Sequence, residues 1–188
     1  MKNLKTIAIA LLVTVSTIAT AQTKKINTQK STINWVGKKV TGQHSGTVGI
    51  KEGALVFKGK NLKGGSFTID MNSIAVTDLK AGQGKEKLEG HLKADDFFGT
   101  DKFATSTLVF KTISGKGNGV YAVTADLTIK GITSPVKFDI TVKGNTATTT
   151  FNVDRTKYDI KYKSKNFFEN LGDNVINDEF EIAVALQF

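Results

Sequence analysis

His44 and His91 are the only imidazoles in a chain of 188 residues that has no cysteine. Asp95 or Asp96 could join them to hold a metal or move a proton, yet neither H-x-x-x-H nor H-x-H spacing is present. His91 falls beside Leu88 and Leu92 on one face of an expected helix. A neutral imidazole there can hydrogen-bond to backbone and cap a loop. Asp95, Asp96, Asp173, Asp178 and Glu179 lie near expected turns, the usual place for capping or solvated carboxylates, whereas a hydrolase pair must face each other across a cleft. The stretch Gly115-Lys116-Gly117-Asn118-Gly119 lacks the spacing of a phosphate loop and reads as a hairpin turn. Lys157, Lys161, Lys163 and Lys165 interleave with Tyr158 and Tyr162, superficially like a platform for single-stranded nucleic acid. Alternation in a strand would put the lysines on one face and the tyrosines on the other, so this segment is read as a solvated face. The expectation is a protein with no catalytic residue, no metal, no cofactor and no nucleic-acid partner: a binding protein, not an enzyme.

The start of the chain reads as a targeting segment. Lys2 and Lys5 precede an apolar stretch from Ile7 to Ile18, and Ala19-Thr20-Ala21 places small residues before Gln22. That is the layout of a cleaved secretory signal, with an apolar run too short for a comfortable membrane span of about 20 residues. The expected domains are therefore a signal peptide over 1–21 and one mature domain over 22–188, periplasmic or secreted. Removing Lys2 and Lys5 leaves a net charge of +7, which favours peripheral contact with an anionic membrane surface.

The elements that must position any site are strands. Thr is abundant, and 18 Gly punctuate short apolar runs, a pattern suited to pleated sheet and poor for helix. Period-two alternation predicts strands over Thr32–Val36, His44–Ile50, Ala54–Lys58 and Ser66–Met71. Further strands are expected from Thr107 toward Ile113, around Val123–Ile129, around Val136–Val142, near Phe151 and Val153, and over Phe180–Phe188. Lys51-Glu52-Gly53 reads as a turn, and Gly131 and Gly144-Asn145 as breaks. One short helix is expected between Gly84 and Phe98, followed by an interrupted turn carrying Phe97 and Phe98. Eight to ten antiparallel strands with one apolar face make a sandwich or a barrel. The five apolar residues on one face of the last strand favour closure, since an open edge there would invite aggregation.

All 12 Phe lie after Gln22. Trp35, Phe57, Phe67, Ile69, Phe98, Phe110, Leu127, Phe138, Phe151 and Phe180 are the candidate contacts for a guest, spaced at about one or so per element. An eight-stranded barrel can be packed shut or hold one ligand, and the residues alone leave both open. If hollow, these rows suit a long apolar molecule, because each buried methylene contributes roughly 0.8 kcal/mol without any charged contact. The alternative is a solid, non-catalytic barrel acting through its surface or loops, in protein interaction or envelope stress.

Several ordered motifs resemble the YceI-like family of exported, lipocalin-like proteins. Trp35 and Gly46 open the likeness, Gly90-His91-Leu92-Lys93-Ala94-Asp95-Asp96-Phe97-Phe98 resembles its HL…DFF segment, and Ala125 to Thr133 followed by Val136 resembles its L-T-I-K-G-x-T signature. Asp154-Arg155 through Tyr158-Asp159-Ile160 and the acidic Asp178-Glu179 complete it. Leu88-Glu89, Ala104 and Asp159 depart from the family pattern. The resemblance implies an antiparallel eight-stranded barrel with a short helical cover, and a polyisoprenoid, isoprenoid-quinone-like or fatty acid or amide guest. It also implies occurrence as homodimers and no catalytic residue.

Overall fold

Inward and outward positions alternate along most of the wall in the computed structural model, which describes residues 20–188. Nearly all of the expected signal segment lies outside the described residues. The strands are β1 (Ala21–Lys25), β2 (Thr32–Lys39), β3 (Gly42–Lys58), β4 (Asn61–Val76), β5 (Thr105–Gly117), β6 (Val120–Ile129), β7 (Ile132–Lys143), β8 (Thr146–Asp154) and β9 (Ile176–Gln187), with a helix α1 (Lys85–Lys93) between β4 and β5. Hydrogen-bonded neighbours run β1-β3-β2-β9-β8-β7-β6-β5-β4, and β4 pairs back onto β3, so the sheet closes. Every adjacent pair is antiparallel.

Nine strands fill eight places in the wall. β2 pairs with Gly42 to Thr47 of β3, while β1 pairs with Ala54 to Lys58 of the same strand. The two are one interrupted stave, parted by a turn at Asn27–Lys30 where the Asn27 side chain accepts from the Gln29 and Lys30 amides. The protein is an antiparallel eight-stranded barrel with a short helical element, as the family resemblance implies, and closed, as the argument from the last strand favours.

Tight hairpins set much of the register. Lys130 and Gly131 both have positive φ (51° and 74°), as do Asn118 and Gly119 (51° and 77°). Two such residues in succession give the turn twist that matches paired strands. The β5–β6 reversal thus rests on Asn118-Gly119, with Gly115 and Gly117 still in strand. The expected turn at Lys51-Glu52-Gly53 is corrected: β3 runs straight through it, with only a register shift between Ile50 and Glu52. Gly53 is there for space. A Cβ on it would stand 2.5 Å from the Phe67 ring across the ladder.

The β7–β8 seam is the loosest. Only Thr141, Val142 and Lys143 pair, with Thr148, Ala147 and Thr146, before the strands part. Beyond that point the Thr149 hydroxyl donates to the Asp139 carbonyl at 2.7 Å. The rings of Phe138 and Phe151 stack at 4.6 Å and fill the space between the strands on the inner side.

The barrel's two ends differ. Three hairpins and the C-terminus gather at one, where Leu55, Phe57, Leu62, Ile140, Ala147 and Leu186 are buried. At the other, α1 and the segment after β8 lie over the opening. Helix α1 is anchored by Leu92, which is buried, and by Glu89, whose carboxylate accepts from the Val76 amide at 2.8 Å. The helix is shorter than the expected Gly84–Phe98 span. After Lys93 the chain turns, with the Ala94 amide bonding back to the His91 carbonyl. The Lys157–Lys165 segment is not a strand: Arg155–Tyr158 is a 3-10 turn and a loop follows. Alternation therefore fails there, and Lys163 lies over the Tyr162 ring at 5.5 Å instead of on an opposite face.

Candidate functional site

Inward rows from β2 to β9 meet around a cavity of about 190 Å³. Along β9 alone its lining runs from Ile176 through Phe180, Ile182 and Val184 to Leu186. Ten residue rises of about 3.3 Å make that roughly 33 Å of strand, so the space follows the barrel's length and is elongated. Nine of the ten expected contacts border it: Trp35, Phe67, Ile69, Phe98, Phe110, Leu127, Phe138, Phe151 and Phe180. Phe57 does not. It points inward as its alternation requires, but sits at the sealed hairpin end with its ring 5.6 Å from Phe188. Periodicity gives the face of a strand and says nothing about height along the barrel.

The rings keep the bore open by resting on glycines of neighbouring strands. Trp35 is paired with Gly46, where an added Cβ would approach the indole to 2.5 Å. Phe67 is paired with Gly53, and Phe110 covers Gly65, where a Cβ would stand 2.7 Å from the ring. The Trp35 indole N–H donates to the Thr47 carbonyl at 3.2 Å, so the wall satisfies its polar atom and leaves the hydrocarbon face for the lumen.

Residues that the aromatic reading passed over also line the space. Ile33 shares the alternation of Trp35, and Ser106 that of Leu108 and Phe110, so parity was the available signal. Phe97, Ile160 and Arg155 come from the cap, where no periodic signal exists. Arg155 is 3% exposed. Its Nε donates to the Asn177 carbonyl at 3.0 Å, Nη1 to the Ile160 carbonyl at 2.9 Å, and Nη2 to the Ile176 carbonyl at 3.0 Å and the Asp178 carboxylate at 3.4 Å. Burial pushes its pKa below the usual guanidinium value, against the pull of Asp178 and Asp154. The guanidinium thus pins the return of β9 to the end of β8. Tyr158, alongside it, is raised to about 12, chiefly by burial.

Neither histidine joins the lining. His91 Nε2 lies 2.9 Å from the Asp96 carboxylate, so its partner is a side chain and not the expected backbone group. Its ring makes edge contacts with Phe97 at 4.9 Å and Tyr162 at 4.6 Å, joining the helical part of the cap to the loop after Ile160. His44 Nδ1 is 2.8 Å from Asp78. Burial tends to raise the Asp78 pKa, but the Ser45 amide and His44 outweigh it and the net shift is downward. Among the described residues no three His, Asp or Glu side chains gather as a metal site. Of the other carboxylates near turns, Asp95 accepts from Lys102 at 2.6 Å and Asp178 from Asn166 at 2.6 Å. What the site offers is an apolar bore under a mixed cap.

A family model described as the YceI-like domain matches residues 25–188. The chain belongs to that family. Among solved structures, this YceI-like domain is similar in fold to BcnA of Burkholderia cenocepacia, with a TM-score of 0.63 and 21% identity over 86% of this chain and 98% of the other. It is similar also to a polyisoprenoid binding domain from Saccharophagus degradans, with a TM-score of 0.58 and 13% identity over 86% and 95% of the two chains. A Campylobacter jejuni YceI protein follows at 0.54 and 17%, over 74% and 83%. In sequence, a UPF0312 protein of Shewanella denitrificans is 32% identical over 85 residues, which is 45% of this chain and 42% of that one. A relative from Shewanella sp. strain ANA-3 is 30% identical over 84 residues, 45% and 41% of the two chains. The chain thus spans less than half the length of the curated relatives it matches.

Proposed function

We propose that this YceI-like barrel binds and carries a long apolar molecule outside the cytoplasm, after removal of residues 1–21. The observation that carries the reading is the elongated cavity of about 190 Å³, lined almost wholly by aliphatic and aromatic side chains. Such a surface gains roughly 25 cal/mol for each Å² of apolar area removed from water, and it has few groups with which to hold a sugar or nucleotide. Similarity in fold to a polyisoprenoid binding domain supports a polyisoprenoid or quinone-like guest, with fatty acids and amides as the neighbouring class. The candidate contacts are the nine lining residues above, with Phe57 serving the packed end. Delivery would bring the protein to a membrane surface, consistent with its basic charge.

Organic extraction of the purified protein followed by mass spectrometry tests this directly. A long-chain apolar compound in sub-equimolar to equimolar amount is the expected result. Repeatedly empty extracts, together with failure to take up an added apolar probe, would overturn the carrier reading and favour a barrel that works through its surface.

A further inference from the structure

Exposed apolar side chains are not spread evenly over the barrel. Among the described residues the large ones are Val40, Val109, Ile132, Phe167 and Phe168. Val109 lies within β5. The others belong to the capped end: Val40 to the β2–β3 turn, Ile132 to the start of β7, and the two phenylalanines to the loop between β8 and β9. Lysines mark both ends, as exposed Lys60 and Lys63 show at the hairpin end, so charge alone does not tell the ends apart. The aromatic pair does.

That loop leaves the barrel after Ile160 and returns at Ile176, both of which line the cavity, so it stands on the rim of the mouth. Its base is tied by the Ile176 amide, which donates to the Lys163 carbonyl at 3.0 Å. Ser164 is fully buried, and its carbonyl accepts from the Phe167 and Phe168 amides at 3.1 and 3.0 Å. The backbone is thus fixed while both rings face water. Lys161 Nζ lies 5.1 Å from the Phe167 ring. The Val40 amide donates to the Val175 carbonyl at 3.3 Å, which brings Lys38 and Lys39 beside the loop. Together the turn over 38–42 and the loop over 161–175 hold five lysines against Glu169 and Asp173. Across the mouth, exposed Glu86, Asp95 and Asp96 oppose the lysines of α1 and the turn after it.

A stable protein interface needs about 800 Å² from each side and is depleted in lysine at its core. The two half-exposed rings offer on the order of 200 Å², inside a rim of lysines. A layer of lipid headgroups accepts both features at once, with rings in the acyl boundary and ammonium groups among anionic phosphates. We infer that the Phe167-Phe168 loop docks the barrel on an anionic bilayer, with the β2–β3 turn beside it and the cavity mouth turned toward the lipid. The inference deepens the carrier reading, on which its purpose rests, by assigning the face that meets the membrane.

The test is co-sedimentation of residues 22–188, which omit the apolar Ile7–Ile18 stretch, with vesicles of phosphatidylglycerol and phosphatidylcholine in equal parts and of phosphatidylcholine alone. Binding is expected to the anionic vesicles and should weaken with salt. Phe167→Ser combined with Phe168→Ser should weaken it at least about tenfold. Lys165→Glu should weaken it at least about fivefold, the worth of one lysine near an anionic surface. Both variants should keep their thermal midpoint and their uptake of diphenylhexatriene in solution. Lys60→Glu combined with Lys63→Glu, at the hairpin end, should leave binding within about twofold. No binding to anionic vesicles, or an equal loss in the hairpin-end variant, would overturn the docking face, while probe uptake would leave the carrier reading standing. Loop-dependent vesicle binding without probe uptake would spare the docking face and overturn the carrier reading. Self-association that the double phenylalanine variant abolishes, without vesicle binding, would assign the loop to a second copy of the chain and overturn the inference.

Discussion

At the hairpin end of the barrel, Leu55, Leu62, Ile140 and Ala147 interlock with at most 1% of any of them exposed. At the capped end the same strands finish under Phe97, Phe98, Tyr162 and a loop in which Phe167 and Phe168 stand half exposed. One end is closed by strand residues fixed through pairing and alternation, the other by side chains from outside the sheet. A strand-built plug can move only if the barrel opens. A cap made of a helix, a 3-10 turn and a loop can shift while the wall keeps its hydrogen bonds. The contrast separates stability, which should reside in the wall and plug, from retention of a guest, which should reside in the cap.

The largest effect should come from Phe110→Asp, midway along the wall. A carboxylate forced into this apolar interior is expected to cost at least about 4 kcal/mol or prevent folding. An unchanged urea midpoint would show that the inner face has been misassigned. Leu55→Ala, in the plug, should lower stability by about 3 kcal/mol through a cavity that cannot collapse, measured by the same denaturation. Tyr158 sharpens the comparison at the capped end. Its pKa is raised above the ordinary 10.0 to about 12, so the folded state holds a proton that the unfolded chain has released between those values. Stability is therefore retained below about pH 10 and falls, by on the order of 2 kcal/mol, as pH rises toward 12. Tyr158→Phe should remove that alkaline component, and an identical alkaline profile in the variant would place the sensitivity elsewhere.

Phe98→Ala opens the cap where Phe98 meets Phe180 at 6.3 Å. A loss of only about 1 kcal/mol is expected, with release of a bound apolar probe accelerated several-fold. Loss of stability as large as that of Leu55→Ala would erase the distinction between the two ends. Smallest of all should be Lys161→Glu. Lys161 is an exposed partner of Asp159 at 2.7 Å, and such pairs contribute between 0 and about 1 kcal/mol. A thermal midpoint displaced by many degrees would mean that the loop is integral to the fold.

The wall was legible in the sequence because one period carries two facts at once, strand and inward face. Val123, Ala125, Leu127 and Ile129 occupy the shared face that their spacing predicts, and Lys130-Gly131 turns where the pattern stops. Glycine was a less faithful signal. Gly53 reads as a turn, yet it lies within a strand because Phe67 needs the room its missing side chain provides. The Lys157–Lys165 segment misled for a related reason: alternating residue types resemble a strand even where the backbone has already entered a 3-10 turn. Within the site, eight of the ten aromatic and aliphatic candidates border the cavity from strands and follow from parity, Phe98 comes from the cap, and Phe57 shows that parity leaves axial position open. Arg155 was visible as part of a motif, but its work was not. Its acceptors include the carbonyls of Ile176 and Asn177, far along the chain, and only closure of the barrel brings them within reach.

The rings seated on Gly46, Gly53 and Gly65 make the calibre of the tunnel a property of its backbone. A methyl added at Gly53 or Gly65 would press first on the Phe67 or Phe110 ring, tip it toward the axis and constrict the passage, whereas one at Gly46 would meet the Ala75 backbone carbonyl before the indole. Relatives with the same lining but bulkier residues at the Gly53 and Gly65 positions should accept only slimmer molecules, so girth can change while the lining stays the same.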